Sequence, residues 1–486
     1  MIYSVDVKLR FGWRMVLWLA VLALATLPAD SRPYAARIAQ GDVLRREAEY
    51  HRALAAYAAA AALHPDSSVV IERAAETCLD WGRPDRAVEW FRRAQRLDPA
   101  GPGILIGWGQ AYADLGDAAR ARQLWEQAAR LPEADGVPRH RLGRLDLEHG
   151  DYAAAQIHFE ASLNGALTDR DAQSARYWVA LLHGLDRPAD ALTDLRRAAA
   201  GPDPAIASEA RSIATALEQV KHESPHTAAG AALAGLRRWS IAQVYLERAL
   251  VADPSDVTAM AYLGACLDGQ GKTMEAEARL RAALARQPDA ILTLFLWGRH
   301  LALSGQARPA RYAFERVLAL DPTNAAACAE IARTFIAERD YGPAESWLEQ
   351  AIARAPDQGE FFLMLAEFES DTLLNVAKGA TAAKRATELQ PSNPTAVDAL
   401  GWTQVLSGQW DDAERTLHRA VELAPRWVNP YAHLGRLYDR QGRADSARWA
   451  FGRVLDLART DLLQTEANDA LRRLGAGGED NLGITF

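Results

Sequence analysis

Two short strings in this chain carry residue types that do chemistry elsewhere. Gly269-Gln-Gly271-Lys272-Thr273 has the glycines, lysine and hydroxyl that end a phosphate-binding loop, where backbone N–H groups and the lysine hold phosphate oxygens. Such a loop needs another glycine at 266, where Cys266 stands, and it must follow a strand, whereas the residues before it have helical spacing. His222-Glu223-Ser224-Pro225-His226 sets two histidines around a glutamate, as in zinc proteases. That chemistry needs both imidazoles on one face of a continuous helix, and Pro225 interrupts the helix between them. The string reads as a polar turn. Cys78, Cys266 and Cys328 cannot all pair and have no metal-ligand spacing, so they read as small buried hydrophobes. No Gly-x-Ser-x-Gly elbow occurs, and no carboxylate pair stands out for acid–base work. The chain is therefore expected to be no enzyme, with no metal and no cofactor.

The elements that would position any site follow from a periodicity. Pro254, Pro288, Pro322, Pro356, Pro391 and Pro425 step by 34, 34, 34, 35 and 34 residues, and Pro65, Pro99 and Pro132 by 34 and 33. Between prolines the same types recur: Leu263-Gly264, Gly271, Ala276, Leu280 and Ala283 are followed by Trp297-Gly298, Gly305, Ala310, Phe314 and Val317. Leu400-Gly401, Gly408, Ala413, Leu417 and Ala420 lead on to Leu434-Gly435, Gly442, Ala447, Phe451 and Val454. Apolar residues at three- and four-residue steps predict two amphipathic helices per unit, joined by a turn at Gly271, Gly305, Gly408 or Gly442. The closing proline is expected to stop one helix and to start the next. A fixed period of this length marks an array in which each module buries its apolar face against its neighbours.

This pattern resembles the tetratricopeptide repeat (TPR) family over about Pro33 to Thr460. The resemblance implies an all-α solenoid, a right-handed superhelix of antiparallel helix pairs, with about twelve units. The match departs from the pattern at Ala332 and Arg339, which stand at glycine positions, and in the unit ending at Pro391, which holds one extra residue. Gly201-Pro-Asp-Pro204 breaks the register. The expected organisation is a cytoplasmic stub and signal-anchor or transmembrane segment at 1–31, an N-terminal repeat block at 32–201 and an atypical connecting helix at 202–222. A C-terminal repeat block at 223–461 and a capping helix with a flexible tail at 462–486 complete it. In the family the first helix of each unit lines a groove that binds peptides or proteins, and the residue after the glycine position commonly points into it. Here those residues are Arg299, Arg333, Glu367, Trp402 and Arg436. The lysine and asparagine set with which some members hold a C-terminal carboxylate is not present.

At the N-terminus, Lys8, Arg10 and Arg14 precede the apolar run Met15–Leu27. Thirteen apolar residues are few for a span that needs about 20; extension back to Phe11 gives seventeen, with Arg14 able to reach the interface by its stem. Basic residues before the run hold the N-terminus inside and export the rest of the chain. The reading is a single-pass anchor with extracytoplasmic repeats, or a cleaved signal that leaves a secreted or periplasmic protein. A net charge of −8 argues against a general nucleic-acid binder, and leaves room for a local basic groove. Protein or peptide partners are expected, held by a scaffold tethered to the membrane in an envelope or export assembly. The alternative is an accessory subunit of glycan synthesis or secretion.

Overall fold

The computed structural model describes residues 32–475, except 48, 132–134, 221–223 and 459–460. The segment assigned to an anchor, residues 1–31, and the tail after Gly475 lie outside the described residues, among which there is no strand. The chain divides into two compact units, between Val179 and Ala180, inside the helix Asp169–Gly184.

In unit 1 the helices pair in sequence order: Arg32–Arg46 with Tyr50–Leu63, Ser68–Asp80 with Pro84–Leu97, Pro102–Asp114 with Ala118–Ala129, and Val137–Glu148 with Tyr152–Ser162. In unit 2 the register break at Gly201 is a turn; the helix Pro204–Glu218 folds back on Pro188–Ala199, with Asp203 accepting from the N–H groups of Ala205 and Ile206. Helix pairs then follow at Pro225–Gly235/Trp239–Ala252, Val257–Gly269/Thr273–Arg286, Ile291–Leu303/Ala307–Leu320 and Ala325–Ala337/Tyr341–Arg354. Gly359–Glu367/Val376–Leu389, Pro394–Leu406/Trp410–Leu423 and Asn429–Arg440/Ala444–Leu457 complete the array. The helix Asp461–Arg473 packs Ala467 and Ala470 against the last pair and so covers its apolar face.

Each pair closes on one small residue in its first helix. A Cβ added to Gly264, Gly298, Gly401 or Gly435 would come within 2.6–2.7 Å of Leu280, Phe314, Leu417 or Phe451, the large residue sixteen positions on. Gly109 and Gly143 stand in the same way against Trp125 and Phe159 in unit 1. Glycine is needed there because the large side chain occupies the space of a Cβ.

The register prolines do only part of what the sequence suggests. Pro254, Pro288, Pro322, Pro391 and Pro425 each follow a helix C-cap residue drawn out of the α region, such as Asp253 at φ −134°, ψ 94°. A residue before proline is excluded from the α region, so the helix stops there. The next helix starts later, at Val257 in this case, capped by the Asp256 carboxylate on the Ala259 N–H. The helix-starting prolines are a different set, Pro84, Pro102, Pro188, Pro204, Pro225 and Pro394.

The turns inside pairs need one left-handed residue. Glycine fills it at 82, 116, 150, 271, 305, 408 and 442, whereas Arg237, Arg339 and Leu374 adopt φ of 58°, 61° and 58°. The first helix of the long unit shows why Leu374 stands one position late: after Glu367 the chain makes a π-helical turn over Phe368–Thr372, closed by Leu373 N–H donating to Phe368 O. That turn absorbs the extra residue. Leu374 is exposed, so Leu374→Gly removes left-handed strain without loss of packing. It is expected to raise stability by about 1 kcal/mol, read as a higher thermal midpoint by circular dichroism.

Candidate functional site

On the first-helix side of the array, side chains from successive pairs interleave. The residue after the small position of one pair meets the residue two before the small position of the next. Trp402 is stacked on His433 with centroids 4.5 Å apart and planes at 14°, Arg333 Nη2 lies 3.3 Å from Met364 Sδ, and Arg73 lies 3.9 Å from Asp42. The helical register repeats this contact because the first helices are spaced by a constant unit.

Arg299, Arg333 and Glu367 are exposed, and Trp402 and Arg436 are partly buried. Arg333 has Glu330 3.9 Å away. Although Glu367 is exposed, desolvation by the side chains crowded around its carboxyl, with like charge from Asp371 and Asp398, raises it above its usual range, against the pull of Arg333. The Trp402 indole N–H donates to Asp371 at 2.9 Å, and the Arg436 guanidinium lies 5.2 Å from its ring centroid. Arg436 forms a two-pronged pair with Glu466 of the closing helix, at 2.6 Å on both arms, and this holds the Glu466 carboxyl below its usual range. Arg436 is therefore engaged within the chain, unlike Arg299, which forms no ion pair or hydrogen bond among the described residues.

Sequence reasoning missed the residues two before the small position, and with them His433, held by buried Asp398 at 2.9 Å. It missed the matching residues of unit 1 as well, Gln110 and Arg144, which come directly after Gly109 and Gly143. Carrying the same register into the N-terminal block finds them.

The strings with catalytic residue types sit as structural parts. Gly271 is a left-handed turn residue at φ 75°, and a Cβ on Gly269 would clash with the Trp239 ring. Ser224 caps the helix that Pro225 begins, and His226 Nε2 lies 2.9 Å from Leu185 O, while His222 and Glu223 lie outside the described residues. The three cysteines are buried, and burial pushes the Cys78 and Cys266 thiols up to about 12. Among the described residues no group of histidine, cysteine or carboxylate side chains is placed to hold a metal. No described helix is long and apolar enough to cross a membrane.

Comparison with known proteins agrees with the helix-pair register. Two family models, each described as tetratricopeptide repeat, match residues 301–367 and residues 38–102, 227–291 and 399–461. A TPR repeat-containing protein of Pseudomonas aeruginosa is 30% identical over 168 residues, which is 34% of this chain and 28% of that relative's length. Yeast Tom70 superposes with a TM-score of 0.43 at 17% identity, covering 91% of this chain and 95% of its own. PilF of Pseudomonas aeruginosa gives 0.38 at 17% identity, over 45% of this chain and 98% of its own. With the family models matched in both units, and together over more than half of the sequence, the chain belongs to the tetratricopeptide repeat family.

Proposed function

We propose that the chain is a non-catalytic scaffold that binds segments of partner proteins along the first-helix side of its repeats. Residues 1–31 tether it to a membrane, with the repeats on the outer side, in an envelope or export assembly. One observation carries the binding role: the first-helix side presents exposed Arg299, Arg333 and Glu367 and the half-buried Trp402, each directly after the small position of its pair and chemically mixed. Such a row suits an extended segment with both polar and apolar residues. The basic residues and apolar run before Leu27 carry the tether.

A photo-crosslinking amino acid at position 333, in cells, is expected to give specific adducts that pellet with membranes. The same group at position 312, exposed on a second helix, is expected to give few. Equal labelling from both positions overturns the groove, and a full chain that fractionates like one starting at Ser31 overturns the tether.

A further inference from the structure

In two pairs of unit 2 an aspartate four residues after the small position reaches forward to the next helix of the first-helix side. Asp268, four after Gly264, lies 2.9 Å from His300, and Asp439, four after Gly435, lies 3.4 Å from Arg473 of the closing helix. Asp371 reaches forward in the same way and accepts from the Trp402 indole N–H at 2.9 Å, yet it stands five residues after Ala366. The π-helical turn Phe368–Thr372 makes up the difference, because it takes in the extra residue of the long unit.

The same turn is anchored on its inner side. Glu369, two residues before Asp371, has no solvent exposure and lies 3.1 Å from Lys378 Nζ. Its carbonyl accepts from the Asn375 N–H at 2.8 Å, and Gly379 leaves the space that Ser370 Oγ takes. Residues two apart in a helix do not share a face, so the turn that draws Glu369 inward holds Asp371 outward. Without Lys378 a lone carboxylate would stay in the interior, a cost that rotation of the turn towards water would relieve. That rotation would take Asp371 away from Trp402. The second restraint on Trp402 comes from a different helix: His433, stacked on it at 4.5 Å and held by Asp398 at 2.9 Å.

We propose that the turn Phe368–Thr372 is a coupling element of the binding face: Lys378, acting through Glu369, holds Asp371 in place and thereby sets the orientation of Trp402. Lys378 is thus a positioning residue, on the second helix of its pair. The coupling is reciprocal, so a partner group that moves Trp402 or takes Asp371 bears back on the Lys378–Glu369 pair. The part of Trp402 in binding rests on the reading of the first-helix side as the binding face; the coupling itself does not.

The test uses the full chain labelled with 5-fluorotryptophan, in which the fluorine resonance of Trp402 is the one lost in Trp402→Phe. Asp371→Ala removes the acceptor of the indole and is expected to shift that resonance, and Lys378→Met to shift it in the same direction. Asp371→Ala with Lys378→Met is expected to give the position of Asp371→Ala alone, because Lys378 acts through Asp371. Lys378→Met with Glu369→Gln leaves no charge to expel and is expected to return the resonance to the parent position. Trp410, on the second helix of the same pair as Trp402, reports general disturbance and is expected to stay in place. If Lys378→Met does not fold, Gly379→Ala takes its place: the added Cβ displaces Ser370 without changing any charge, and is expected to move Trp402 in the same direction. A Trp402 resonance unmoved by Asp371→Ala or by the folded Lys378 or Gly379 variant overturns the coupling. So do additive shifts in the Asp371 and Lys378 double variant, no return with Glu369→Gln, or an equal movement of Trp410. If crosslinking at position 333 fails while Trp402 follows Lys378, the binding face falls and the coupling stands. If position 333 crosslinks and Trp402 ignores Lys378, the face stands and the coupling falls.

Discussion

Replacing Phe314 by alanine is expected to lower the stability of unit 2 by about 3–5 kcal/mol, the cost of emptying a fully buried aromatic site. Phe314 has no solvent exposure, meets Phe295 edge-on at 5.6 Å, and fills the space that Gly298 leaves open. Leu294, Val317 and Ile331 complete the cluster, so the cavity would be lined from two successive pairs and could not close by movement of one helix. Repeat arrays are stabilised by nearest-neighbour contacts. The damage is therefore expected to appear as a separate early transition in urea unfolding followed by circular dichroism. The Gly298 contact is tested by a second pair of changes. Gly298→Ala alone is expected to cost about 1–3 kcal/mol through overpacking, and much less when combined with Phe314→Leu. Strict additivity of the two, or a Phe314→Ala variant as stable as the parent, contradicts the packing described.

The fold was legible because repetition reports itself. A single Gly-to-Phe spacing of sixteen says little, but the same spacing at Gly143/Phe159, Gly298/Phe314 and Gly435/Phe451 ties each glycine to one helix contact. Stop signals were legible for the same reason, and their exact use was not. Proline restricts its predecessor and forbids a helix interior, and sequence alone does not tell whether the next helix begins at that proline or at the Asp or Asn cap beyond it. The candidate site was legible only along one register. Arg299, Arg333, Glu367, Trp402 and Arg436 are found by counting from the small residue, and counting does not tell that Glu466 engages Arg436 or that Asp371 holds Trp402. Those partners come from neighbouring helices, where the side-chain rotamer decides the contact.

The long unit is the clearest case of a sequence signal without its consequence. A step of 35 residues announces one extra residue, and nothing in the string says where it goes. In the structure it enters the π-helical turn Phe368–Thr372, which rotates the residues after Glu367 and carries Glu369 and Ser370 into the interior. Gly379 makes room for this: a Cβ there would clash with Ser370 Oγ. Asp371, in the same turn, reaches Trp402 on the first-helix side. The insertion thus serves both the core and the proposed binding face.

The buried end of that turn sets the second large expectation, a loss of about 3 kcal/mol for Lys378→Met, because a fully buried carboxylate loses its half-exposed counter-charge. Glu369 has no solvent exposure, and neither of its oxygens has a well-aligned hydrogen bond; Lys378 Nζ, 3.1 Å away, is its counter-charge. Lys378 also contacts Glu345, and Glu349 at 2.7 Å. Burial raises the Glu369 carboxyl despite Lys378, whereas hydrogen bonding to Lys378 lowers that of Glu345. The signs then fix the pH response. A carboxyl raised in the folded state binds its proton more tightly there than in the unfolded chain, so it favours folding below its unfolded value of about 4.3 and loses this as pH rises through the folded value. A carboxyl lowered in the folded state contributes above about 4.3 and loses its contribution as pH falls through the folded value. In the parent these two responses oppose each other. In Lys378→Met the Glu345 contribution is gone and the Glu369 cost grows, so stability is expected to recover as pH falls from neutrality towards 4.3. Adding Glu369→Gln should restore most of the loss at pH 7 and remove the extra pH dependence that Lys378→Met introduces. A Lys378→Met variant whose deficit is the same at pH 5 and pH 7, and is not relieved by Glu369→Gln, would place the damage in helix packing and not in the buried charge.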